Sequence, residues 1–108
     1  MVEKFFTPKE ANEILPEVKR IVAEILALVR QTPVPQERIE ALMLRLEEMG
    51  CYYKDWNFEI GLVDFPAIIH GQPALLCWRS DEPAVAWFHG YEDGYAGRRP
   101  ITRELIFS

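Results

Sequence analysis

Apolar residues in this chain recur with helical spacing as far as Met49 and with a period of two from Leu62 onward. The two periods belong to different backbone geometries, so the change restricts the chain to helices followed by a sheet. Thr7-Pro8-Lys9-Glu10 reads as a capping box with proline at the first helical position, and it starts the first helix. The apolar stripe of that helix runs through Ala11, Ile14, Leu15, Val18, Ile21, Val22, Ile25, Leu28 and Val29. Pro16 falls inside the stripe. Because the apolar phase continues across it, a single kinked helix ending near Gln31 is expected. A second helix is predicted from Gln36 to Met49, burying Ile39, Leu42, Met43, Leu46 and Met49 and stopping at Gly50. A short proline-containing link makes the two helices an antiparallel hairpin.

The spacing predicts strands at Leu62 to Ile69, Ala74 to Arg79 and Ala84 to Phe88, with a short one at Cys51 to Lys54 before a turn at Asp55 to Asn57. If His70-Gly71-Gln72-Pro73 and Ser80-Asp81-Glu82-Pro83 are the connections, Ile69 faces Ala74 and Asp64 faces Arg79; Leu76 then faces Trp87, and Ala74 faces His89. One face of the sheet carries Phe65, Ala67, Ile69, Leu76, Trp78, Val85 and Trp87 for the helices to cover. The other carries Asp64, Pro66, Ile68, Leu75, Cys77, Arg79, Ala84, Ala86 and Phe88, too apolar for a face left in water. Cover from the carboxy-terminal tail or from a second subunit is expected, and with the wide helix stripe this points to a homodimer. The tail interleaves Gly90, Gly94 and Gly97 with Tyr91 and Tyr95, and its end at Leu105-Ile106-Phe107 reads either as a helix capped by Thr102 or as an edge strand.

The expected fold is therefore α+β. A two-helix hairpin, kinked at Pro16, packs on a three- to four-stranded antiparallel meander, within one domain divided into 1–50 and 51–108. A length of 108 residues fits one core. A net charge of −5 excludes the basic face of a nucleic-acid binder. Cys51 and Cys77 form no CxxC pair, no signal-peptide pattern opens the chain, and the best apolar run, Ile21 to Val29, is interrupted by Glu24. A cytoplasmic protein with reduced thiols and no membrane span is the expectation.

FTPKEANEILPEV near the amino end resembles the bacterial and archaeal family called domain of unknown function 2203, as does KDWNFEIGLVDFPAIIHGQPALLCWRSDEPAVAWFHGYEDGYAGRRP through the second half. The pieces that carry the resemblance are Gly61-Leu62-Val63-Asp64-Phe65-Pro66, Leu76-Cys77-Trp78-Arg79, Glu82-Pro83, His89 and Gly97-Arg98. Two positions depart from the family pattern: Asp81 stands where a glycine is usual, and Phe88 precedes His89 where a tryptophan is usual. The resemblance implies a shared fold and a set of residues. It brings no activity and no cofactor.

The candidate binding residues are Asp64, Arg79, Glu82, His89 and Arg98. Asp64 and Arg79 are expected to form a cross-strand ion pair that fixes register. Glu82 is expected to pair with an arginine or accept backbone amides, and Arg79 and Arg98 to offer a site for a small anionic ligand. His89 beside carboxylates has the chemistry of a base or a metal ligand, but no spaced ligand motif accompanies it and the predicted register puts Cys77 on the opposite face. No metal and no cofactor is expected on this reading. The leading function is a non-enzymatic ligand-binding or protein-interaction module. The alternative is a small hydrolase, metal-dependent or not, using His89 with Asp64 or Glu82 and with Arg79 or Arg98 stabilising negative charge.

Overall fold

A computed structural model describes residues 4–54 and 60–102. Two helices, α1 (Pro8–Leu28) and α2 (Gln36–Met49), precede an antiparallel sheet of five strands: β1 (Tyr52–Tyr53), β2 (Leu62–Ile69), β3 (Gln72–Arg79), β4 (Trp87–Gly90) and β5 (Arg99–Pro100). The strands lie side by side in chain order, so the fold is an α+β meander with one strand more than the upper expected number. The predicted turn at Asp55 to Asn57 and the apolar end at Leu105-Ile106-Phe107 lie outside the described residues.

Local sequence accounts for the helices. Thr7 accepts the amide of Glu10 at 3.1 Å while the Glu10 carboxylate accepts the amide of Thr7 at 3.0 Å, closing the capping box. Helix α1 continues through Pro16, which supplies no N–H of its own. It buries seven of the nine stripe residues, Ile14 and Val29 being only partly covered. Helix α2 ends at Gly50 in the left-handed region at φ 97°, a conformation glycine adopts without strain. Its burial is narrower than predicted, with Ile39 and Leu46 inside and Leu42, Met43 and Met49 at the margin. The core joins these helix residues to Tyr53, Val63, Phe65, Ala67, Ile69, Ala74, Leu76, Trp78 and Phe88 from one face of the sheet. Gly61 leads into β2 where Val22 packs closest, and a side chain there would collide with the Val22 methyl.

Two pairings differ from the predicted register, with different consequences. His70 and Gly71, at φ 52° and 76°, form a tight two-residue hairpin whose twist suits the flanking strands. Ile69 therefore faces Gln72 rather than Ala74, and Asp64 faces Cys77 rather than Arg79. A slip of two leaves every side chain on its expected face. Between β3 and β4 the slip is one: Leu76 faces Phe88 rather than Trp87, and Leu75 faces His89. One residue inverts the strand. Phe88 enters the core, while Trp87 and His89 turn to the outer face that Asp64 and Cys77 occupy.

Asn12 supplies the physical reason. Its side chain on α1 accepts the Val85 amide at 2.8 Å and donates to the Val85 carbonyl at 3.1 Å, taking both backbone groups of that residue out of reach of β3. Lys19 Nζ holds the Pro83 carbonyl at 2.9 Å, and the Trp78 indole donates to the Glu82 carbonyl at 2.9 Å. The connection after β3 is thereby drawn toward α1, and β4 begins at Trp87 instead of Ala84.

Cys51 sits at the junction of α2 and β1 with no exposed surface, and burial pushes its thiol from 9.0 up to about 12. A thiol whose pKa is raised on folding keeps its proton longer in the folded state. Its contribution is complete below pH 9 and is lost as pH rises toward about 12. Urea denaturation between these limits is expected to show Cys51→Ala losing stability with pH less steeply than the wild type, by up to about 1.4 kcal/mol per pH unit. Parallel profiles would contradict the burial of this thiol.

Candidate functional site

The outer face of the sheet brings together a carboxylate, a thiol and an imidazole from three successive strands. Asp64 on β2 is directly opposite Cys77 on β3, and His89 on β4 lies one rung along, opposite Leu75 and diagonal to Cys77. Their exposures are 5%, 2% and 4%, so the chain covers all three by itself. One oxygen, the sulfur and one ring nitrogen of these residues lie within 4.8 Å of one another. His89 Nε2 is 3.5 Å from Asp64 Oδ1.

Each group is placed by its backbone. The imidazole is turned by its Nδ1, which is 2.8 Å from the Gly90 carbonyl. A carbonyl can only accept, so Nδ1 carries the hydrogen and Nε2 is aimed at Asp64 and Cys77. The Gly90 carbonyl also accepts the Asp93 amide at 3.2 Å, and the Gly90 amide donates to Asp93 Oδ2 at 3.2 Å, which fixes the loop leaving β4. Gly90 has no room for a side chain beside that carboxylate. Pro66, deeply buried two residues after Asp64, is tolerated within β2 because its carbonyl, and therefore the side lacking an N–H, faces the Phe6 amide and not β3.

Burial dominates the electrostatics. It holds the Asp64 carboxyl above its ordinary value of 3.8, with His89, then Lys54, pulling the other way and losing. Burial and the neighbouring Asp64 push the Cys77 thiol up to about 12, against the opposing pull of Arg98. A thiol kept protonated in this way is a poor nucleophile.

Beside the cluster lies a second polar group. Arg98 Nη2 donates to Glu82 Oε1 at 2.6 Å and to the Cys77 carbonyl at 3.2 Å, and its guanidinium stacks 5.0 Å from the centre of the Trp87 ring. Glu82 also accepts the Arg79 amide at 2.7 Å. Glu82 thus does both things expected of it, pairing with an arginine and accepting a backbone amide. Arg99 stacks over Phe88 at 4.9 Å.

The predicted residues therefore separate into three places. Asp64 and His89 meet, Glu82 and Arg98 meet next to them, and Arg79 turns away. The expected Asp64–Arg79 pair does not form: Arg79 lies opposite Leu62 and bonds Asp81 through Nε at 2.6 Å and Nη2 at 2.8 Å. Asp81, at a position where the family pattern has glycine, thus occupies the guanidinium expected to face Asp64. Cys77 was placed on the face away from His89 by a register one residue off, and it belongs to the cluster. Asn12 and the Gly90 carbonyl were not singled out at all. A surface groove lined by Ile69, His70, Pro73, Phe88 and Arg99 includes none of the three clustered residues.

Fold and cluster define a small α+β protein with a buried polar centre on the outer face of its sheet. The family model described as "Uncharacterized conserved protein (DUF2203)" matches residues 31–101, and the chain belongs to that family. No curated protein and no solved structure matches it. Among the described residues no helix is long and apolar enough to cross a membrane.

Proposed function

We propose that this protein is a non-enzymatic binding module whose binding centre is the Asp64–Cys77–His89 cluster, flanked by the Arg98–Glu82 pair. The observation that supports this is the convergence of a buried carboxylate, thiol and imidazole within 4.8 Å of one another, and burial holds the Asp64 carboxyl above its ordinary range. Its neighbours do not offset its loss of hydration, so in the absence of a ligand Asp64 weakens the fold. A residue that costs stability is explained by what it binds. The hydrolase alternative is less well supported, since its anion-stabilising arginines are already matched, Arg79 with Asp81 and Arg98 with Glu82. The same matching turns the centre away from the anionic ligand expected at Arg79 and Arg98, toward a ligand that takes electron pairs from oxygen, sulfur and nitrogen.

Asp64→Asn is expected to raise the melting temperature of the ligand-free protein at neutral pH while removing ligand-dependent stabilisation. Thermal unfolding against a panel of metal cations, organic amines, carboxylates and phosphates tests this. A ligand at 100 times its dissociation constant adds about 2.7 kcal/mol to the wild type. A panel with no stabilising member, or one whose active member stabilises Asp64→Asn equally, would overturn the reading.

A further inference from the structure

Resting on that reading, we infer that the ligand of the cluster is a divalent transition-metal ion of the zinc class, held by Asp64 Oδ1, Cys77 Sγ and His89 Nε2. A carboxylate oxygen, a thiolate sulfur and an imidazole nitrogen are the three donor types from which zinc sites are made. Metal–ligand bonds of 2.0–2.3 Å at tetrahedral angles separate neighbouring donors by roughly 3.3–3.6 Å. His89 Nε2 and Asp64 Oδ1 are 3.5 Å apart. That is longer than a good N–H···O bond, and it is the spacing of two ligands on one ion.

The tautomer leads to the same conclusion. With Nδ1 committed to the Gly90 carbonyl, His89 keeps Nε2 as its ligand atom and aims it at Asp64 Oδ1. A ligand histidine that donates its second nitrogen to a backbone carbonyl is the usual support around a bound metal. All three donor atoms lie within 4.8 Å, so closing on one ion needs movements of about 1 Å, within side-chain adjustment. Coordination removes the Cys77 proton to solvent and leaves a thiolate on the ion. Arg98, bonded to the Cys77 carbonyl, holds β3 at the ligand position. Three protein ligands leave a further coordination position for another donor.

Titration of chelator-treated protein with Co²⁺, followed by Zn²⁺ competition, tests the inference. One equivalent of Co²⁺ is expected to produce a thiolate-to-cobalt charge-transfer band and tetrahedral ligand-field bands, both erased by Zn²⁺. Cys77→Ser is expected to abolish the charge-transfer band, and Asp64→Asn and His89→Gln each to weaken binding at least ~100-fold, the upper end of what losing a mere supporting contact costs. Cys51→Ser, at the buried thiol outside the cluster, is expected to keep the full spectrum. Absence of the band in folded wild type, its loss in Cys51→Ser, or unaltered affinity in Asp64→Asn would overturn the assignment. The Asp64→Asn and Cys51→Ser titrations decide the matter even if Cys77→Ser does not fold. If Co²⁺ and Zn²⁺ leave the protein unchanged while an organic ligand stabilises the wild type and not Asp64→Asn, the metal assignment falls and the binding reading stands. If nothing stabilises it, both fall.

Discussion

Trp78→Ala is expected to lower the free energy of unfolding by about 3–5 kcal/mol, the cost of emptying a large buried aromatic site that neighbours only partly refill. Trp78 is 1% exposed on the core face of β3, next to the strand's last residue and cross-strand from Val63. A loss of this size is a large share of the total for a domain of this length. The indole also carries a polar contact, since its Nε1 donates to the Glu82 carbonyl at 2.9 Å. Trp78→Phe isolates that part: it keeps most of the volume and leaves the carbonyl without its donor, for about 1–3 kcal/mol. Urea denaturation followed by far-ultraviolet circular dichroism separates the two. A loss below about 1 kcal/mol for Trp78→Ala would mean that the helices do not cover this face of the sheet.

The second large effect belongs to the Arg98–Glu82 pair. Its side chains are 10% and 15% exposed, so removing one partner leaves a charge with little access to water. Arg98→Met and Glu82→Gln are each expected to cost about 3 kcal/mol, the low end for a buried pair because neither side chain is wholly covered. Glutamine can still accept the Arg79 amide that Glu82 holds at 2.7 Å, so Glu82→Gln isolates the charge while Glu82→Ala should cost more. The Arg98→Met, Glu82→Gln double variant is expected to lose less than the sum of the single changes, since no unmatched charge remains. Additive losses across the four proteins of that cycle would show that the two residues do not depend on each other.

Both effects involve Glu82, in the connection between β3 and β4, which is also where the sequence was least legible. The capping box at Thr7 and Glu10, the limits of α2 and the span of β2 were readable because each depends on residues a few places apart. The core face of β2 and β3 was readable even though the hairpin between them was misjudged. His70 and Gly71 close it two residues early, and an even slip preserves which side chains face inward. The β3–β4 connection allowed no such tolerance. Asn12, 73 residues before Val85 in the chain, decides where β4 begins, and its polar side chain gave no sign that its partner would be a strand backbone.

That single odd residue separates a pair of unrelated polar side chains from a site. With β4 one place over, His89 would point into the core and Phe88 would lie beside Cys77. As folded, Phe88 fills the core and His89 meets Asp64 and Cys77. The order of elements, the start of α1, the limits of α2, the inward face of β2 and β3 and the family were determined by the chain alone, because periodicity, capping and motif spacing are local. Helix α1 ends at Leu28, short of the Gln31 its apolar stripe suggested. The convergence of Asp64, Cys77 and His89, and the separation of Arg79 from them, were decided only by tertiary structure. Strand register has a parity, and here that parity is set by a helix side chain distant in sequence.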